Sequence, residues 1–229
     1  MERFEYFPAL REIFKGTLLI LCIYATTDYA YPKEWADLAN KLAGGNHIYF
    51  TRLSLYMTIM TLVLSYCVKY FGVSSIREVY RDSLSIALPM EGLVTTVFWI
   101  LNTIDPTLLK DRELYMAGVR TPLVSELSLH LLPLVLLLID QVGVNIYERK
   151  RHYWVFGFFG VIYFGIIHHF QRINNSWVYP FLGYVLLPMR IILAAVATLL
   201  VMVYYRFFVG LSRFINARTY PEGRRTKLL

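Results

Sequence analysis

Hydrophobic positions in this chain come in long blocks, not in alternation with polar ones. Six blocks, at roughly 13–30, 48–71, 84–104, 123–146, 153–171 and 180–209, meet or approach the about 20 apolar residues that carry a helix across a bilayer core. The connections between them are short, and no repeat, low-complexity stretch or separate soluble segment intervenes. The pattern predicts an all-α, polytopic integral membrane protein, one domain over residues 1–229 built as a bundle of about six transmembrane helices. Inside the second block Thr51, Ser54, Thr58, Thr61 and Ser65 recur at steps of three and four, which puts their hydroxyls on one helix face. Lipid tails offer no hydrogen bonds, so such a stripe is expected to turn toward other helices.

Composition agrees and adds an orientation. Of the residues, 57% are hydrophobic and only 17% charged, and the mean hydropathy of +0.47 lies outside the range of soluble globular domains. The first block has an apolar core at 17–25, about the length of a signal peptide. Yet Glu2, Glu5 and Glu12 stand among Arg3, Arg11 and Lys15 ahead of it, and no small-residue cleavage site follows, so it is expected to stay as a first span. Fifteen of the 23 Lys and Arg fall in the N-terminal arm, the second and fourth connections and the C-terminal tail. Cytosolic segments collect these residues, so both termini are expected in the cytosol. The net charge of +7 is then a topology signal with some attraction to anionic lipid, and no nucleic-acid partner is implied. Cys22 and Cys67 lie inside spans and suggest neither a disulfide framework nor a metal site. The stretch 225–229 is similar to a dibasic retrieval signal of the endoplasmic reticulum, and Asn174-Asn175-Ser176 is a glycosylation sequon close to the bilayer on the lumenal side.

With that orientation the unusual polar residues sort by depth. Thr51 and Arg52, Asn102 and Asp105, Glu126 and His130, His168 and His169, and Trp177, Tyr179 and Pro180 all fall at the lumenal ends of their blocks, and the cytosolic half holds little comparable. Ionisable groups inside a membrane are costly and usually line a site or a watery cavity. Each member also has a plainer role. Trp177 and Tyr179 suit an interfacial aromatic belt and Pro180 a first helical turn. His168 and His169 fit the headgroup level and, as sequence neighbours on a helix, point apart. His130 can be a hydrogen-bonded structural histidine. No metal-ligand spacing, G-x-S-x-G elbow, P-loop or G-x-G-x-x-G occurs, so no cofactor is expected. The chemistry that uses a threonine and a histidine together is nucleophilic acyl transfer, in which neutral imidazole takes the hydroxyl proton. Glu126 or Asp105 could then orient the ring, and Arg52 or backbone N–H groups at the start of the second span could hold the oxyanion.

Several pieces resemble one family: Gly44-Gly45 leading to Thr51, Arg81-Asp82, Pro89 with Phe98-Trp99-Ile100 and Asp105, His130 near Pro133, His168-His169, Trp177-Val178-Tyr179-Pro180-Phe181-Leu182, and Arg190-Ile191-Ile192. Over roughly residues 44–195 they resemble the androgen-induced protein and androgen-dependent TFPI-regulating protein family of multi-pass membrane hydrolases, the W-V-Y-P-F-L run being the most specific. The resemblance implies an atypical threonine hydrolase of lipid esters, notably fatty acid esters of hydroxy fatty acids, with Thr51 as nucleophile and His130 as base. Its expected partners are a lipid ester substrate and the bilayer, with no obligatory protein partner, in the membrane of the endoplasmic reticulum. The alternative is a non-enzymatic lipid-binding protein or small-solute carrier whose polar cluster is a binding site. Carriers need gates on both sides, and the one-sided cluster favours the enzyme. A long-chain ester stays in the bilayer, so it is expected to enter sideways into a deep apolar cavity beside Thr51.

Overall fold

The computed structural model describes residues 6–219, and every regular element among them is a helix. α1 (Tyr6–Tyr24) and the short α2 (Lys33–Lys41) precede the long α3 (Phe50–Tyr70) and α4 (Arg77–Ile104). A short α5 (Arg112–Met116) leads into α6 (Leu123–His130) and α7 (Leu132–Asp140), followed by α8 (Lys150–Asn174) and α9 (Leu187–Thr219). The basic residues Arg3, Arg224, Arg225 and Lys227, and with them the 225–229 stretch, lie outside the described residues.

Against the about six spans expected, the described residues hold four or five candidates, a roughly consistent count. Phe50–Tyr70, Ser74–Ile104, Lys150–Asn174 and Leu187–Ala217 are long and apolar enough to cross a membrane, and α6 with α7 is a fifth if that pair, bent by 44°, is one span. The block at 13–30 falls short because α1 starts earlier, carries Arg11, Glu12 and Lys15, and turns off at Thr26 and Thr27. α1 still packs on α3, α6 and α7, burying Leu18 and Cys22 among Leu55, Leu62, Leu129 and Leu136.

The block at 123–146 breaks for a local reason. Pro133 has no N–H for the Leu129 carbonyl and its ring crowds that oxygen, so the helix gives way at Leu131 (φ −136°, ψ −49°) and restarts as α7. His130 is thereby left at a helix end. The block at 180–209 likewise opens as a 3-10 turn, Pro180–Tyr184, before α9 begins.

α4 is the axle. It packs on α3, α7 and α9, with α6 and α8 beside it, and buries 61% of its apolar window. Tyr80, Leu84 and Leu88 meet Leu137, Phe156, Tyr205 and Phe208 there. α8 and α9 bury only 11% and 17% of theirs, so most of their surface faces lipid.

The hydroxyl stripe of α3 does turn inward. Ser54, Thr58, Thr61 and Ser65 are fully buried. Thr58 Oγ1 donates to Glu91 Oε1 at 2.8 Å, Thr61 and Ser83 share a hydrogen bond of 2.6 Å, and Ser65 Oγ donates to Asp140 Oδ1 at 2.9 Å. Contrary to expectation, the end of the bundle away from Thr51 is also rich in buried polar groups. Asp140 accepts from Lys15 at 2.7 Å, Lys69 at 2.6 Å and Tyr80 at 2.6 Å. Nearby, Asp82 of α4 accepts from Arg149 and from His152 Nε2, each at 3.0 Å, and pairs with Arg151 at the start of α8.

Candidate functional site

Where α3 begins and α4 and α8 end, the helices part around a cavity of about 720 Å³, a size typical of small-molecule sites. Met90, Leu93, Val94 and Val97 of α4, Phe156 and Phe159 of α8, and Leu193, Ala197 and Val201 of α9 form apolar walls, and Trp35 and Leu38 of α2 help to roof it. Along α9 the lining runs from Arg190 to Val201, about 17 Å of helix rise. Its polar members include Thr51, Arg52, Lys110, Glu126 and His130.

The chain reaches Thr51 through a tight turn. Gly44 (φ 80°) and Gly45 (φ 50°) lead into a 3-10 turn, Gly45–Ile48. A Cβ on Gly44 would sit 2.4 Å from Ile48 Cγ2 and 2.8 Å from the Phe170 ring, so both its backbone and its surroundings call for glycine. The first N–H of α3, on Phe50, donates to the hydroxyls of Tyr163 at 2.8 Å and Tyr179 at 3.0 Å. Tyr179 of the W-V-Y-P-F-L run thus pins the helix start. Thr51 comes second in α3, half-buried, and its own N–H has no intrahelical acceptor.

His130 is buried, with its ring flat on Phe98 at 3.3 Å between centroids and 4° between planes. Its Nδ1 lies 3.0 Å from the Glu126 carbonyl oxygen. A carbonyl only accepts, so Nδ1 carries the hydrogen and Nε2 keeps the lone pair. No described residue hydrogen-bonds Nε2, and the ring lines the cavity. The Glu126 carboxylate takes Lys110 Nζ at 2.5 Å and lies 3.5 Å from His130 Nδ1. Asp105, the other acid considered for that role, is exposed and outside the cavity lining. It accepts from the N–H and the hydroxyl of Thr107, each at 2.8 Å, and those bonds hold its carboxyl below the usual range. Thr51 and His130 share the cavity and are not hydrogen-bonded to each other.

Arg52 is 3% exposed. It donates from Nη2 to Tyr31 Oη at 2.9 Å and lies over that ring. Burial pushes the Tyr31 phenol up to about 12 against the pull of Arg52, so the phenol stays neutral and leaves the guanidinium charge uncancelled. Arg52 Nη1 is buried with no partner among the described residues. Trp177, Tyr179 and Pro180 line the cavity, and Arg190 stacks 4.0 Å over Trp177 while donating to the Leu182 carbonyl at 2.9 Å. His168 and His169 do not line it. His168 donates from Nδ1 to the Phe164 carbonyl at 2.9 Å and meets Trp177 edge-on, whereas His169 is exposed.

Sequence reasoning passed over three groups. Lys110 and Tyr163 act on the site from a loop and from mid-α8, with no local pattern to mark them. Glu91 had a signal: it is the lone charge between Asp82 and Asp105, inside an apolar block. It is fully buried beside the cavity walls, outside the lining, bonded to Thr58. Among the described residues no three His, Cys, Asp or Glu are grouped as metal ligands.

No solved structure matches the chain. A UPF0641 membrane protein of Schizosaccharomyces pombe is 30% identical over 130 residues, which cover 54% of this chain and 56% of that protein. The chain thus spans just over half the length of that curated relative. Residues 13–213 match the family described as FAR-17a/AIG1-like protein, a stretch that takes in all of α3 to α8 and the whole cavity lining, and the chain belongs to that family.

Proposed function

We propose that this membrane protein hydrolyses lipid esters, such as fatty acid esters of hydroxy fatty acids, with Thr51 as nucleophile and His130 as base. The observation that carries the reading is the 3.0 Å contact of His130 Nδ1 with the Glu126 carbonyl, which leaves Nε2 as the free nitrogen on a ring that lines the same apolar cavity as Thr51.

The chemistry follows from that arrangement. As Thr51 Oγ1 attacks the ester carbonyl carbon, its proton passes to His130 Nε2. The tetrahedral oxyanion draws on the Thr51 N–H, in the first turn of α3, and on Arg52, whose Nη1 has no partner among the described residues. Collapse breaks the bond to the alcohol oxygen, which leaves with the proton from Nε2, and the acyl group stays on Thr51. Water then attacks the acyl-threonine, giving its proton to Nε2. Threonine departs with that proton and the fatty acid is released. While His130 is charged, the Glu126 carboxylate 3.5 Å from Nδ1 and the face of Phe98 favour it. The basic-residue pattern supports cytosolic termini and, with them, a lumenal position for this end of the bundle.

One observation favours a carrier or lipid-binding protein: Glu91 is buried in the middle of α4, where transporters keep their sites. It does not line the cavity, so a solute held there would not touch it.

A fluorophosphonate probe tests the reading. Wild-type protein should be labelled, Thr51→Ala should not, and His130→Ala should slow both labelling and ester hydrolysis by about 10²–10⁴-fold. Undiminished labelling of Thr51→Ala, or none of the wild type, would favour the non-enzymatic protein.

A further inference from the structure

A second hollow, of about 410 Å³, lies between α8 and α9. Its outer lining includes Val161, Ala195 and Leu199, all exposed on the lipid-facing surface. Gly160, Phe164, Ala194 and Thr198 line both this crevice and the main cavity, so the two share a wall. That wall is thin. A Cβ on Gly160 would lie 2.4 Å from Thr198 Oγ1, which means a bare backbone meets one small side chain there. The crevice is also dry in its chemistry, because its single hydroxyl, on Thr198, is already donated to the Ala194 carbonyl at 2.9 Å.

Depth decides what such a crevice can take. Thr198 stands eleven residues into α9, about 17 Å along the helix and close to the middle of a core about 30 Å thick. A headgroup has nothing to bind at that level, and an acyl chain does. An ester whose carbonyl sits at the polar end, near Thr51, would send its tail down the cavity toward Val201, one turn from the shared wall.

We propose that the α8–α9 crevice is an acyl-chain site through which the substrate's tail enters from the bilayer and in which its distal part rests, with the Gly160–Thr198 contact setting the width of the neck. This rests on the reading of the cavity as a lipid-ester site. It makes chain length and branching a property of α8 and α9, away from the reacting groups.

Two measurements test it. Ala195→Trp fills the crevice from the lipid side, on a residue outside the main cavity, and Val203→Trp puts the same bulk on an exposed part of α9 that lines neither hollow. The ratio of long-chain to short-chain ester hydrolysis should fall about tenfold or more in Ala195→Trp and stay unchanged in Val203→Trp. Equal losses on long and short esters in Ala195→Trp overturn the proposal. Independently, a fatty acyl ester with a terminal diazirine, photolysed with full-length Thr51→Ala protein in vesicles, should mark Gly157, Val161, Ile191, Ala195 or Leu199, which line the crevice and not the main cavity, and excess unlabelled ester should compete. Adducts elsewhere, or adducts that no ester displaces, mean ordinary bilayer contact and overturn it. If wild-type protein cleaves no ester at all, the hydrolase reading fails, and the competed cross-link still decides whether the crevice holds a chain.

Discussion

A neutral histidine acts as a base through whichever nitrogen lacks the hydrogen, so the partner of the other nitrogen matters more than the ring's position. In His130 that partner is a main-chain carbonyl, and no side-chain substitution can remove it. Glu126→Gln should therefore lower kcat/KM by less than about tenfold, far less than His130→Ala, as measured on a short ester under identical conditions. Glu91 calls for the opposite reasoning. Its carboxyl has one side-chain donor, Thr58, at 2.8 Å, and its second oxygen has none. Thr58→Val removes that donor inside a dry interior and should cost about 1–3 kcal/mol. The readout is a lower midpoint of thermal unfolding in detergent, with the specific activity of the folded fraction retained because Glu91 does not line the cavity. An activity loss larger than the stability loss would bring Glu91 into the mechanism. Outside the spans, the lowered Asp105 carboxyl stabilises the 3-10 turn after α4 while ionised, above its ordinary value of 3.8. That contribution is lost as pH falls through the lower, folded value, and amide exchange at Thr107 should speed up there.

Among the elements, the bend between α6 and α7 has the clearest single cause. Pro133→Ala restores the donor for the Leu129 carbonyl and should straighten the 44° bend without loss of thermal stability. It should also swing His130 away from Phe98, so hydrolysis drops while probe labelling of Thr51 slows in parallel. If activity is unchanged, the bend does not position the histidine. The entry to α3 depends on one glycine in the same way. Gly44→Ala forces a side chain into a left-handed backbone position and against Ile48 and Phe170, and should destabilise by about 1–3 kcal/mol. Much of this level was legible in the chain. The block at 48–71 and the helix Phe50–Tyr70 nearly coincide, because a long apolar run in a membrane has few backbone options other than a helix. Boundaries were lost where proline or buried charge intervened, at Pro133, at Pro180 and along α1.

Across the whole molecule, the bundle is closed at the end opposite Thr51 by ion pairs that join distant parts of the chain. Asp140 of α7 holds Lys15 of α1 and Lys69 of α3 at 2.7 and 2.6 Å. Removing that anion takes the carboxylate from Lys69 and leaves Lys15 with Glu12 alone, at 3.1 Å, so Asp140→Ala should cost about 3–5 kcal/mol, or prevent accumulation of folded protein, as judged by size-exclusion profile in detergent. The orientation of that end is open to direct measurement. Tags on either terminus should be cut by protease added to sealed microsomes, and protection of either one would overturn the lumenal placement of the cavity.

The chain by itself determined the solvent, the helical class and the family, because block hydrophobicity and short runs such as W-V-Y-P-F-L are local properties that need no partner. It also carried the inward turn of the α3 hydroxyl stripe, which helical periodicity dictates. Tertiary structure alone decided which polar residues meet. Lys15 and Asp140 are 125 positions apart, and Tyr163 and Tyr179 reach Phe50 across more than a hundred residues. The hydrogen on His130, the partnerless Nη1 of Arg52 and the glycine-thin wall between two hollows are likewise products of packing. Distance along a chain says nothing about distance across a bundle, and in a medium without water each buried polar group is defined by the partner that folding brings to it.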